Sequence, residues 1–238
     1  MKTVLITGGS RGIGAELVRR FSKEGYGVAF VYHRSEEAAA EVAAETGAFP
    51  IRCDASSEDE AVAAVKKARE LLGHIDLLIN NAAISGGRLF TDITGEEWNR
   101  FFAVNLHGAF YFSREVLREM IARKSGKIIN ISSMWGEVGA SCEVHYSATK
   151  AAMIGMTRAL AKEVGPSGIT VNCISPGFID TDMNRNLSPE DRDALIGETP
   201  IGRIGTAADI ASAALYLAGD GGDFVTGQVI SVNGGLVI

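Results

Sequence analysis

Short runs of β-branched and aliphatic residues alternate along the chain with longer segments whose apolar positions recur at helical spacing. The runs predict strands at Thr3–Thr7, Val28–Tyr32, Pro50–Asp54, Leu77–Asn80, Lys127–Ser132, Thr170–Ile174 and Gln228–Val232. The segments between them predict helices at Ile13–Glu24, Glu36–Thr46, Glu58–Leu72, Glu96–Arg123, Tyr146–Val164 and Ala207–Ala218. The strand runs are short and apolar, as in strands buried on both faces. Alternation of this kind predicts βαβ units, and so an α/β fold: one doubly wound domain over residues 1–238, with helices on both faces of a seven-stranded parallel sheet. Asp180–Gly205 interrupts the alternation with Pro189, Gly197, Pro200, Gly202 and Gly205, and is expected to form a substrate lid over 180–205.

Composition narrows the possibilities. Of 238 residues, 46% are hydrophobic and 22% charged, the balance of a chain that folds around a core. Twenty-three Lys and Arg against 29 Asp and Glu give a net charge of −6, which disfavours nucleic acid and an anionic membrane surface as partners. No window supplies the run of about 18 apolar residues a membrane helix needs, and the opening MKTVLITGG reaches glycines before a signal-peptide core forms. The expectation is a soluble, cytoplasmic protein. Cys53, Cys142 and Cys173 lie far apart, so neither a metal site nor a disulfide framework is expected.

Two clusters carry chemistry. Directly after the first predicted strand stands Thr7-Gly8-Gly9-Ser10-Arg11-Gly12-Ile13-Gly14, and a helix pattern begins at once. Glycines there let the chain turn tightly and bring backbone N–H groups and the helix N-terminus to a pyrophosphate, so Gly8, Ser10, Arg11, Gly12, Ile13 and Gly14 are candidate cofactor contacts. Farther on, Tyr146-Ser147-Ala148-Thr149-Lys150 opens a helical segment that places Tyr146 and Lys150 on one face. An ammonium beside a phenol favours phenolate, so Lys150 is expected to lower the Tyr146 pKa and fit it for acid–base work. Ser133 ends the fifth predicted strand, at the edge of the sheet where ligands of such folds bind, and alternation turns Ser132 the other way.

The TGxxxGxG spacing, the Tyr-x-x-x-Lys pair and the upstream Ser133 together resemble the short-chain dehydrogenase/reductase family, over essentially the whole chain. That resemblance implies a Rossmann-type fold, a nicotinamide dinucleotide, and a catalytic set of Asn105, Ser133, Tyr146 and Lys150, with Asn105 linking the lysine to a water chain. It implies that Asp54 meets adenine with Ala55 beside it, that Asn80, Asn81 and Ala82 line the cleft, and that Pro176, Gly177, Ile179 and Thr181 form the nicotinamide-side loop. Family members that use NAD carry an acid at the end of the second strand. Tyr32 stands there instead, flanked by His33 and Arg34, and with Arg11 these favour a 2′-phosphate, hence NADP(H). Ala83 replaces the usual glycine of Asn-Asn-Ala-Gly, a substitution that matters only if φ is positive there.

Overall the chain looks most like 3-oxoacyl-acyl-carrier-protein reductases, which implies a ketone on acyl carrier protein as substrate and a homotetramer. Ser167, where those reductases often have a basic residue, departs from the docking pattern, whereas Lys124 fits it. The segment from Ser133 to Tyr146 is more similar to elongation factor P 5-aminopentanone reductases, whose substrate bears an ammonium group. Under that resemblance Trp135 and Glu143 are candidate substrate contacts, with Glu143 receiving the cation.

Overall fold

The computed structural model describes residues 1–181 and 188–238. Seven strands, β1 (Thr3–Thr7), β2 (Gly27–Tyr32), β3 (Phe49–Arg52), β4 (Leu77–Asn80), β5 (Gly126–Ile131), β6 (Ile169–Pro176) and β7 (Val229–Val232), form one sheet in the order β3-β2-β1-β4-β5-β6-β7. Every pairing is parallel, as the alternation predicted. The order reverses between β1 and β4, and the crevice outside the carboxyl ends of these two strands is where an open α/β sheet binds ligands.

Alternate strand residues feed two cores. Val4, Ile6, Val28 and Phe30 pack with Leu17 and Phe21 of α1 (Gly12–Lys23), Val42 of α2 (Glu36–Thr46) and Ile210 of α9 (Ala207–Ala218). Leu5, Ala29 and Val31 face the opposite layer, formed by α3 (Glu58–Leu72), α5 (Gly108–Arg123) and α7 (Val144–Val164) through Val65, Phe112 and Ala161. The expectation that every strand is buried fails at the margins. In β3 only Ile51 is buried and β7 is half-exposed, because each is an edge strand.

Three other departures have local causes. The helix predicted over Glu96–Arg123 is divided into α4 (Gly95–Phe102), a π turn at Ala103–His107 and α5. A π turn adds a residue without ending the helix, and the strand–helix alternation of the sequence does not register it. Behind Ser133 lies a short helix, α6 (Trp135–Val138). Within the segment expected as a lid, residues 182–187 lie outside the described residues, while Pro189–Glu198 forms α8. Ser188 caps it by accepting from the Asp191 N–H, Pro189 fits its first turn, and Glu190 and Asp191 suit the dipole there. Those start signals were present in the sequence.

Candidate active site

Thr7 closes β1 and ties it to the chain leaving β4. Its hydroxyl accepts from the Asn81 and Ala82 N–H groups, both at 3.0 Å, while Asn81 Nδ2 donates to the carbonyls of Thr7 and Gly8 at 3.0 and 3.1 Å. Such closeness excludes side chains. Gly8 has φ +69°, and a Cβ there would lie 2.9 Å from Ala82 Cα; a Cβ on Gly14 would run into the Gly8 carbonyl oxygen. The first turn of α1 has neither an acidic residue nor a side-chain cap, which leaves its N–H groups to the cleft.

From this turn a cleft of about 830 Å³ runs along the carboxyl edge of the sheet. It is lined by every candidate site residue except Asn80 and Asn105, from Tyr32, His33, Arg34, Asp54 and Ala55 at the β2–β3 end, past the glycines, to Ser133, Trp135, Glu143, Tyr146, Lys150, Pro176, Gly177, Ile179 and Thr181. Arg11 and Arg34 are exposed and form no ion pair with any described residue, so both guanidiniums are available to an anion. His33 stands 3.7 Å from Asp54. Among described non-glycine residues only Lys124 and Cys142 have positive φ, so Ala83 costs the backbone nothing.

At the other end, β5 and α7 bring three side chains together. Ser133 is buried just past β5, and its Oγ accepts from the Trp135 N–H at 3.2 Å. Ser132 turns away and donates to the Lys150 carbonyl at 2.9 Å, which leaves Ser133 as the serine facing Tyr146. Lys150 is fully buried; its Nζ donates to the Ile131 carbonyl at 2.8 Å and lies 5.6 Å from the centre of the Tyr146 ring. The expected lowering of the Tyr146 pKa is not what this arrangement does. Burial pushes the phenol up to about 12, the Ser133 hydroxyl pulls it down and the Glu143 charge raises it further. Burial also lowers the Lys150 amine to about 8. Desolvation is the largest cause of both shifts.

Asn80 stands elsewhere than expected, and Asn105 is held by its own set of bonds. Asn80 does not line the cleft; it is buried behind it, donating to Ser113 at 3.0 Å and Asn130 at 2.8 Å. Asn105, fully buried in the π turn, accepts from the Ile84 N–H at 2.8 Å and donates to the Ile84 carbonyl at 2.9 Å and to Thr149 at 3.2 Å. Its side chain forms no direct hydrogen bond with Lys150. It clamps the cleft wall to α7 at Thr149, one residue before the lysine.

Further residues line the cleft together with Tyr146. Trp135 meets Phe178, a cleft residue the motifs did not mark, edge to face at 6.0 Å. Glu143 is half-buried, burial raises its pKa, and it makes neither an ion pair nor a side-chain hydrogen bond with any described residue. Arg100 and the Ile84–Gly87 wall were also missed, because they reach the cleft through tertiary packing. Among the described residues no helix is long and apolar enough to cross a membrane, and no His, Cys, Asp and Glu cluster could hold a metal.

Comparison with known proteins agrees with this architecture. A family model described as enoyl-(acyl carrier protein) reductase matches residues 8–237. The 3-oxoacyl-(acyl-carrier-protein) reductase of Staphylococcus aureus strain Mu50 is 39% identical over 240 residues, covering 99% of this chain and 98% of the relative. Its counterpart from Chlamydia trachomatis is 41% identical over 241 residues, covering 99% and 97%. A 3-oxoacyl-(acyl-carrier protein) reductase from Brucella melitensis superposes with TM-score 0.94 at 35% identity, over 100% of this chain and 91% of that one. A doubly substituted short-chain dehydrogenase/reductase from Serratia marcescens gives 0.92 at 34%, over 99% and 97%. With end-to-end likeness of sequence and fold added to the glycine turn and the Tyr146–Lys150 pair, the chain belongs to the short-chain dehydrogenase/reductase family, as an oxidoreductase of the 3-oxoacyl-acyl-carrier-protein reductase type.

Proposed function

We propose that the protein is an NADPH-dependent ketoreductase that reduces a 3-oxoacyl group, carried as a thioester on acyl carrier protein, to the secondary alcohol. One observation carries this reading: Ser133 and Tyr146 share the cleft wall directly above the buried Lys150 amine, in the same cleft as the glycine turn. The close-packed glycines, the uncapped α1 N-terminus and Arg11 and Arg34, which pair with no described residue, fit a dinucleotide pyrophosphate with a 2′-phosphate. When bound, that cofactor supplies the hydride.

The chain's own groups manage the oxygen. Ser133 Oγ donates a hydrogen bond to the ketone oxygen, and the Tyr146 phenol gives its proton to the alkoxide as it develops. A phenol pushed up to about 12 keeps its proton at neutral pH until a strong base appears beside it, and alkoxide is such a base. The Lys150 ammonium then stabilises the phenolate left behind. Two hydroxyls converging on one point suit a carbonyl oxygen, which accepts two hydrogen bonds, better than a carbon–carbon double bond. A cytoplasmic location and a homotetramer go with this reading; Phe110 and Ile121 leave apolar surface exposed on α5, and Ile238 is fully exposed.

Glu143 favours a second reading. A half-buried carboxylate beside Tyr146 with no partner among the described residues suits a ketone that carries an ammonium group, such as 5-aminopentanone on elongation factor P. The test is loss of NADPH absorbance with acetoacetyl thioester in one cuvette and the modified elongation factor in another. Turnover of the thioester supports the carrier-protein reading. Turnover of the modified protein alone replaces it with the second, and turnover of neither overturns both.

A further inference from the structure

Helix α7 carries two neighbouring stripes. Tyr146 and Lys150, four residues apart, line the cleft, while His145 and Thr149, also four apart, are turned away from it. Thr149 is joined through Asn105 to Ile84 of the cleft wall. His145 reaches the same wall one turn earlier, by two routes. Its ring stacks on Phe101 of α4, with 3.8 Å between centres and 28° between planes, and Phe101 abuts Gly86, where a Cβ would lie 3.6 Å from Cζ. Its Nε2 lies 3.8 Å from Glu97 Oε1. Glu97 in turn holds Arg88, the residue after the wall, whose Nε is 2.9 Å from Oε1 and 2.7 Å from Oε2. The Arg88 N–H donates to the Cys142 carbonyl at 2.7 Å, which ties the wall to the loop ahead of Tyr146.

His145 is fully buried, yet neither ring nitrogen has a hydrogen-bond partner among the described residues. A buried polar group left in that state costs free energy, and stacking alone would be served by an apolar ring. Glu97 Oε1 is the carboxylate oxygen beside it, and a shift of about 1 Å turns the 3.8 Å approach into a hydrogen bond to a charged acceptor. We propose that His145 is a positioning residue for the ketone side of the cleft: with a ketone bound, Nε2 donates to Glu97 and draws the Ile84–Gly87 wall, through Arg88 and Phe101, onto the start of α7 beside Tyr146. The wall is then held at two successive turns of α7, by His145 and by Thr149. The inference rests on the ketoreductase reading given above.

The experiment is a double-mutant cycle of His145→Phe and Glu97→Ala, followed by steady-state kinetics with whichever of the two ketones above the wild type reduces and by calorimetry with NADPH. His145→Phe keeps a ring on Phe101 and removes the donor. It should raise KM about tenfold, the worth of one charge-assisted bond, with kcat within about threefold. NADPH affinity should stay within about twofold in every variant, which also reports that the variant is folded. Glu97→Ala alters a partly exposed side chain and should raise KM by a similar factor, so it carries the test by itself if His145→Phe does not fold. Adding His145→Phe to Glu97→Ala should cost less than about threefold more, because the bond is already gone. An unchanged KM in either single variant overturns the proposal, as does a loss confined to kcat. Effects that multiply to about a hundredfold show that the two residues act separately, and overturn it as well. Wild type that binds NADPH but reduces neither ketone overturns the ketoreductase reading itself, an outcome distinct from the others.

Discussion

Lys150 Nζ donates a 2.8 Å hydrogen bond to the carbonyl oxygen of Ile131, the last residue of β5 and two positions before Ser133. The bond anchors the lysine of α7 to the strand that carries the serine, with the Tyr146 ring beside the amine. Rigid elements on both sides thus fix the relative positions of all three groups, which spares the active site the entropy of arranging them.

Tyr146→Phe tests the proton donor. The substitution removes one oxygen from a buried ring and leaves the glycine turn and the arginines untouched, so NADPH affinity should stay within about twofold by calorimetry. Turnover of any ketone should fall by about 10²–10⁴-fold, the usual worth of a positioned acid. Activity above a tenth of wild type would remove Tyr146 from the chemistry.

Lys150→Met separates stability from activity. Its folded-state pKa of about 8 lies below the ordinary 10.5, so the folded chain holds this proton less tightly than the unfolded one. The buried charge therefore opposes folding below pH 8, and the opposition fades as pH rises from about 8 to 10.5. After allowing about 1 kcal/mol for the lost bond to Ile131, the variant should be about 1–2 kcal/mol more stable at pH 7 and melt about 3–6 °C higher. That gain should vanish near pH 10.5 while activity is lost at every pH. A lower Tm at pH 7 would show that the buried amine holds the fold together.

The fold was legible because the alternation of strand and helix survives local irregularity, and the cleft because its glycines and the Tyr146–Lys150 pair lie within short motifs. What escaped depends on distant contacts. The Arg100 signal is one polar residue on an ordinary helix, and its partners Asp54 and Ser56 come from another unit of the fold. The direction of the Tyr146 shift escaped for a similar reason: spacing shows that an ammonium is near, but only packing shows that both groups are dry. Helix α8 is different, since Ser188, Pro189 and Asp191 announced it and the prolines and glycines around it obscured the signal.

Asp209 supports the start of α9. Its Oδ2 accepts from the Thr206 N–H at 2.7 Å, and both carboxylate oxygens accept from Arg203 at 2.8 Å. The Arg203 bonds, opposed by partial burial and joined by those of Thr206, hold the carboxyl well below the usual range. Asp209→Asn should cost about 1 kcal/mol at pH 7. A depressed folded-state pKa gives stability that is present above the unfolded value and lost as pH falls, so the difference between wild type and variant should shrink below about pH 4. Thermal melts at pH 7 and pH 3 check this, and a constant difference would mean the charge contributes nothing.

Glu143→Gln distinguishes the two substrate readings within one protein. The change keeps the shape of the side chain and removes only its charge, so a ketone bound through an ammonium group should lose about tenfold or more in KM. The acetoacetyl thioester, which has no cation for Glu143 to meet, should keep its KM within about twofold. Glu143 also raises the Tyr146 pKa, so the basic limb of the pH profile should move down for both substrates together, and a change in kcat shared by both reports on that coupling. Acidification gives an independent check. Burial raises the Glu143 pKa, so in wild type the KM of the cationic ketone should rise as pH falls toward the carboxylate range, while in the glutamine variant it should stay flat. If KM rises equally for the charged and the neutral ketone, Glu143 shapes the cleft without reading charge, and the carrier-protein reading stands alone.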